Sequence, residues 1–109
     1  MTIRSRQLLD HARGQPCQNC GIEDGTIVAA HANRQKLGKG MGTKAHDLFH
    51  AWLCHRCHSW LDQGGTGTDP TGRFQPTRAD KWEMFCDAMH KTWARLWALG
   101  IIGLKDERR

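Results

Sequence analysis

The chain reads as a small α+β domain stapled by zinc, and three features of the sequence predict this class. Two Cys-x-x-Cys knuckles, Cys17/Cys20 and Cys54/Cys57, are separated by 33 residues. That pattern matches a closed tetrahedral site with two thiolates from each knuckle. Short apolar runs stand beside the knuckles, and a long amphipathic segment ends the chain. At 109 residues, 39% of them hydrophobic, the protein is one domain, 1–109, with a thin core. A metal staple compensates for such limited burial.

The elements follow in order. Residues 4–13 predict a short helix with Leu8, Leu9 and Ala12 on one face, stopped by Gly14. Pro16 begins an extended approach to the first knuckle, where Gly21 can supply a positive φ. Thr26–His31 is apolar and β-branched at its start, which predicts a strand with His31 at its end. Glycines at 38, 40 and 42 predict an irregular basic loop over 34–46. Ala51-Trp52-Leu53 reads as a second strand, antiparallel to the first, leading into the second knuckle. A helix is expected over 57–63, stopped by Gly64-Gly65-Thr66-Gly67, with a loop running to Pro76. Thr77, with Asp80 three residues on, resembles a capping box. Trp82, Phe85, Cys86, Met89, Trp93, Leu96 and Trp97 then follow helical spacing over 78–99. A helix of that length spans roughly 33 Å, with Gly100 as its terminator. Its tryptophan-rich stripe is read as core, part of which also offers a homodimer face.

Five cysteines, an odd number, fit a disulfide framework poorly. The N-terminus leads into no apolar run of signal-peptide type, and no segment has the length to span a bilayer. Four cysteines on zinc in a reducing cytoplasm is the expectation, with Cys86 a buried core thiol. The formal charge of +5 suits a polyanionic partner, most simply nucleic acid.

His58 follows the last zinc cysteine directly, so the metal would fix its position. His58 and Asp62 are spaced i, i+4 and share one helix face, where an imidazole and a carboxylate can hold a divalent ion separate from the zinc. Asp62 near a helix C-terminus opposes the helix dipole, a local cost that hints at function. His31 ends a strand tied to the same zinc, and a histidine there can serve as a general base.

These residues resemble the HNH (His-Me finger, ββα-metal) endonucleases that carry a structural zinc. More narrowly, Ala30-His31-Ala32-Asn33-Arg34, Gly38-Lys39-Gly40-Met41-Gly42-Thr43-Lys44, Asp47 and Cys54-x2-Cys57-His58-x3-Asp62 are similar to small phage and prophage, Ref-like recombination nucleases. The likeness covers about residues 14–64. It implies a zinc-stapled ββα-metal finger with flanking N- and C-terminal helices. His31 is implied as the general base and Asp47 as the residue that orients it, with His50 the other candidate for that place. His58 and Asp62 are implied as ligands of a catalytic Mg²⁺ or Mn²⁺, beside a structural Zn²⁺ on Cys17, Cys20, Cys54 and Cys57. The implied activity is phosphodiester hydrolysis of single- or double-stranded DNA in the bacterial host cytoplasm, with little sequence specificity and 5′-phosphate products. The Ref-like likeness adds a host recombinase as partner. Arg34, Lys36, Lys39 and Lys44 in the basic loop are expected to clamp backbone phosphate.

One position departs from the family pattern. Many members carry Asp or His just before the base, whereas this chain has Ala30, which cannot ligate. Asp47, His46 or His50 would have to substitute, or the ion keeps more waters. Two further readings stay open. One is a non-catalytic zinc-dependent module that binds nucleic acid. The other is an interaction protein using the tryptophan stripe.

Overall fold

The computed structural model describes residues 3–32, 45–63 and 66–104. Its elements, in chain order, are α1 (Arg6–Asp10), β1 (Val28–His31), β2 (His50–Leu53), α2 (His55–Asp62), β3 (Gly67–Thr68), β4 (Phe74–Gln75) and α3 (Arg78–Ala98). This is an α+β fold with two small antiparallel sheets. β1 pairs with β2 in the register Val28↔Leu53, Ala29↔Trp52, Ala30↔Ala51 and His31↔His50.

α3 is the structural mainstay, and its ends are built from local sequence. Thr77 accepts from the Asp80 N–H while the Asp80 carboxylate accepts from the Thr77 N–H, completing the capping box. At the other end Gly100 takes φ +76°. Gly100 N–H then donates to Trp97 O, and Ile101 N–H to Leu96 O. Those two bonds satisfy carbonyls that the helix end would leave open.

The core forms where α3 crosses β2. Trp52, Leu53 and Leu96 are wholly buried, joined by Ala30, Ala51, Phe85, Ala88 and Met89. Thr92 stitches helix to strand: its hydroxyl accepts from the Trp52 N–H at 3.0 Å and donates to Ala88 O at 2.9 Å. The Trp93 indole N–H donates to Leu48 O at 2.8 Å.

Several expectations need correction. α1 spans five residues rather than 4–13, because Ser5 caps it by accepting from Leu8 N–H. Beyond Asp10 the chain tightens into three-residue turns, with Ala12 N–H bonded to Leu9 O and Arg13 N–H to Asp10 O. β1 begins at Val28 rather than Thr26, since the Asp24 side chain engages both the N–H and the hydroxyl of Thr26. α2 starts at the knuckle itself, two residues before the expected position, and ends at Asp62 rather than residue 63.

The segment before Pro76, expected to be a loop, contains the β3–β4 hairpin. Asp69, 4% exposed, organises its turn. Its carboxylate accepts from the N–H groups of Thr71 and Arg73 and from the Gln75 amide. Burial raises the Asp69 pKa, but the hydrogen bonds from Thr71, Gln75 and Arg73 outweigh it and the net shift is down. The apolar stripe of α3 is also less uniformly core than the pattern implies. Cys86 is only half-buried, and Trp97 is 55% exposed. Among the described residues, no helix is long and apolar enough to cross a membrane.

Candidate functional site

The two knuckles converge. The sulfurs of Cys17, Cys20, Cys54 and Cys57 all lie within 4.8 Å of one another. Cys20 Sγ and Cys54 Sγ are 3.7 Å apart. Tetrahedral zinc with Zn–S bonds near 2.3 Å requires sulfurs about 3.8 Å apart, so the quartet has the size and chemistry of a structural zinc site. The local backbone explains the convergence. Gly21 turns the first knuckle at φ +82°. Its N–H donates to Cys17 O, and Gln18 N–H donates to Trp52 O at the end of β2. In the second knuckle Cys54 is the N-cap of α2, its sulfur facing Cys57 N–H at 3.5 Å. Asn19 Nδ2 donates to Cys57 Sγ at 3.3 Å. The Cys57 thiol, hydrogen-bonded to Cys17, drives the Cys17 pKa down, while the same contact and burial drive Cys57 up. A dication would displace the shared proton and favour thiolate on both.

His31 at the end of β1 meets Asp47, with Nε2 2.9 Å from Oδ1. Asp47 is 5% exposed. Its second oxygen accepts from Ser5 N–H at 2.6 Å, and Arg4 lies 3.4 Å from the first. Burial is the largest influence on the Asp47 pKa and raises it. Hydrogen bonds from His31 and Ser5, with the charges of His31 and Arg4, together outweigh burial, and the net shift is down. An ionised carboxylate only accepts, so the bonded His31 Nε2 carries a proton, and in the neutral form of the ring the lone pair is on Nδ1.

The alternatives at this end take other roles. His46 Nδ1 accepts from Ile3 N–H at 2.7 Å. His50 is wholly buried, and its Nδ1–H donates to Asp47 O at 2.6 Å. Burial, its largest influence, lowers the His50 pKa and favours the neutral ring. Its Nε2 has no hydrogen-bond partner among the described residues.

On α2, His58 Nε2 lies 3.4 Å from Asp62 Oδ2, both side chains being partly exposed. His31, His58 and Asp62 line a single cleft of about 540 Å³. Ala30 also lines it, with a methyl group that offers no ligand atom. Among the described residues, the cysteine quartet is the only group of three or more His, Cys, Asp or Glu close enough to share an ion. Arg34, Lys36, Lys39 and Lys44 fall in 33–44, outside the described residues.

The α3 side of the cleft was not legible in the sequence. Arg78, Lys81, Trp82 and Phe85, all from the first two turns of α3, line it together with the histidines. The capping box locates Arg78 and Lys81 on the first turn of a helix, but nothing local says that this turn packs beside α2.

No protein-family model and no curated protein matches this sequence. Among solved structures, the chain is similar to a protein from Escherichia coli strain K-12, substrain MG1655, provisionally assigned to a bacteriophage. The two are 23% identical, with a TM-score of 0.57, over 84% of this chain and 98% of the other. That likeness shows a shared fold.

Proposed function

We propose that this chain is a metal-dependent HNH-type DNA endonuclease of phage type that hydrolyses phosphodiester bonds with little sequence specificity. One observation carries the reading. A histidine held by a buried carboxylate and a His–Asp pair fixed by a four-cysteine staple line the same cleft. The phage assignment of the structural neighbour agrees with the Ref-like resemblance, on which a role in recombination with a host recombinase rests.

The residues divide the work as follows. Asp47 holds the His31 ring and fixes its tautomer, which leaves Nδ1 to take a proton from water. The charge of Asp47 then stabilises the imidazolium that forms. His58 and Asp62 offer one imidazole and one carboxylate, a donor set suited to Mg²⁺ or Mn²⁺ with waters and substrate oxygens completing the shell. Such an ion would supply charge stabilisation for the scissile phosphate and the leaving oxygen. The cysteine site, being closed, takes no part in the chemistry beyond fixing the start of α2 and hence His58.

A second reading, a zinc module that binds nucleic acid without cutting it, draws on Ala30 and on the two-residue donor set at His58 and Asp62. His58→Ala separates the two. In the nuclease, divalent-dependent cleavage falls by at least about a hundredfold while zinc content, melting temperature and DNA binding hold. A parent protein that binds DNA but never cuts it, with Mg²⁺ or Mn²⁺ supplied, supports the binding module instead.

A further inference from the structure

The cleft holds two cations that the proposed chemistry does not use, Arg78 and Lys81. Both stand on the first turn of α3, and both line the cleft that holds His31 and His58. Lys81 is unusual because it is only 7% exposed. Long charged side chains are seldom buried this far unless their charge is stabilised. Here the ammonium donates to Gln63 O at 3.0 Å and lies 4.4 Å from the centroid of the Trp60 ring. The carbonyl at the end of α2 and the π face of the indole hold the charge in one place. Burial first, then the Arg78 charge, lowers the Lys81 pKa, while Asp62 opposes them.

The charge balance of the cleft gives this arrangement a purpose. Two basic side chains, Arg78 and Lys81, share the lining with His31 and His58, and among the described lining residues Asp62 is the one carboxylate. Asp62 is 69% exposed and lies beside His58. Two adjacent cations on a low-dielectric wall focus a positive potential into the opening. The ligand that relieves this imbalance is an anion reaching His31 and the α3 wall together. A cleft of about 540 Å³ lined by β1, α2 and α3 has room for successive phosphates of a nucleic-acid backbone. Lys81 is a fixed point charge, and Arg78, which is exposed, offers a planar fork on the rim.

We propose that Lys81 and Arg78 form a second phosphate-binding wall, which takes the nucleic-acid backbone next to the phosphodiester presented to His31. This rests on the nuclease reading for the identity of the ligand, but its test requires no cleavage. Binding of a short fluorescein-labelled DNA duplex is measured by anisotropy, without added Mg²⁺ or Mn²⁺, over a range of salt. The proteins are the zinc-loaded parent, Arg78→Ala, Lys81→Met and Lys81→Arg. Each lost phosphate contact lowers the slope of log K against log salt by about 0.9, and weakens binding roughly tenfold near 0.1 M salt. Arg78→Ala and Lys81→Met should each show that loss, with Lys81→Arg close to the parent. Methionine keeps the apolar stem against Trp60; if Lys81→Met nevertheless unfolds, the exposed Arg78→Ala carries the test. Parental slopes in Arg78→Ala and in a folded Lys81→Met overturn the proposal, as does a parent that binds no DNA at low salt. Parental slopes alongside divalent-dependent cutting that His31→Ala abolishes would leave the nuclease standing and remove only the wall. A slope lowered as expected in a protein that never cuts would do the reverse.

Discussion

Replacing Asp47 by asparagine changes one oxygen to an N–H₂ group with almost no change in shape, at a position where Ser5 and His31 make the two short contacts and Arg4 a longer one. Ser5 N–H stands 2.6 Å from one carboxylate oxygen, and His31 Nε2 stands 2.9 Å from the other. The amide can accept from only one of them. The backbone donor is the less mobile, so the Asp47→Asn side chain would keep Ser5 and turn its N–H₂ toward His31. One charge-assisted hydrogen bond at a buried group is then lost, a cost of about 2 kcal/mol. For a domain of this size that lowers Tm by about 8–16 °C. The functional cost is separate. An amide N–H facing Nε2 forces the ring proton onto Nδ1, the atom assigned to take the proton from water. Cleavage should fall by about 10²- to 10⁴-fold. The pH dependence gives an internal check. Because the Asp47 carboxyl sits below its ordinary value, its stabilisation is complete above about pH 3.9. It is lost as pH falls through the lower folded value, so the Tm gap between parent and variant closes in strong acid. The assay is thermal melting at neutral and acid pH, paired with plasmid cleavage at neutral pH. Equal melting temperatures and equal cleavage at pH 7 would refute both the hydrogen-bond accounting and the tautomer argument.

Two further outcomes follow from the fold. Native mass spectrometry should find one zinc per chain, and Cys54→Ser should lose that zinc together with cooperative unfolding, since Cys54 both ligates and caps α2; a cooperative, parent-like melt in a zinc-free variant would count against the staple. Thr92→Val keeps the volume but leaves the buried Trp52 N–H unpaired, which should cost about 1–3 kcal/mol in urea unfolding; a change below about 0.5 kcal/mol would show that the helix–strand stitch contributes little.

Legibility in the sequence tracked how local each determinant is. The knuckles are four residues each, and their zinc geometry is implied by spacing alone. The start of α3 was readable because Thr77 and Asp80 satisfy each other within one turn. The β3–β4 hairpin was not readable, although Asp69-Pro70-Thr71-Gly72 is a turn sequence. Its strands are two residues long, and a buried carboxylate rather than apolar alternation holds the turn. The shortening of α1 depends on Ser5, whose N–H binds Asp47 far along the chain. Asp47 was weighed against His50 as the residue beside His31, and the structure brings the Asp47 carboxylate to the ring while His50 binds the Asp47 backbone. Helical periodicity marked Cys86 and Trp97 as core, yet Cys86 is half-buried at the edge of the stripe and Trp97, next to the wholly buried Leu96, is exposed. The Arg78 and Lys81 wall was invisible for a related reason. Which face of α3 meets α2 is decided by packing between segments, and no local pattern carries it.

The central claim is that His31 and a divalent ion together make this chain a nuclease. Nicking of supercoiled plasmid by zinc-loaded protein, in Mg²⁺, Mn²⁺ or chelator, with His31→Ala alongside, tests it most directly. The proposed nuclease cuts with either ion, not in chelator, and loses about 10²- to 10⁴-fold in a His31→Ala protein that still folds and binds DNA. Undiminished cutting by His31→Ala, or a folded parent that binds DNA and cuts with neither ion, would contradict it.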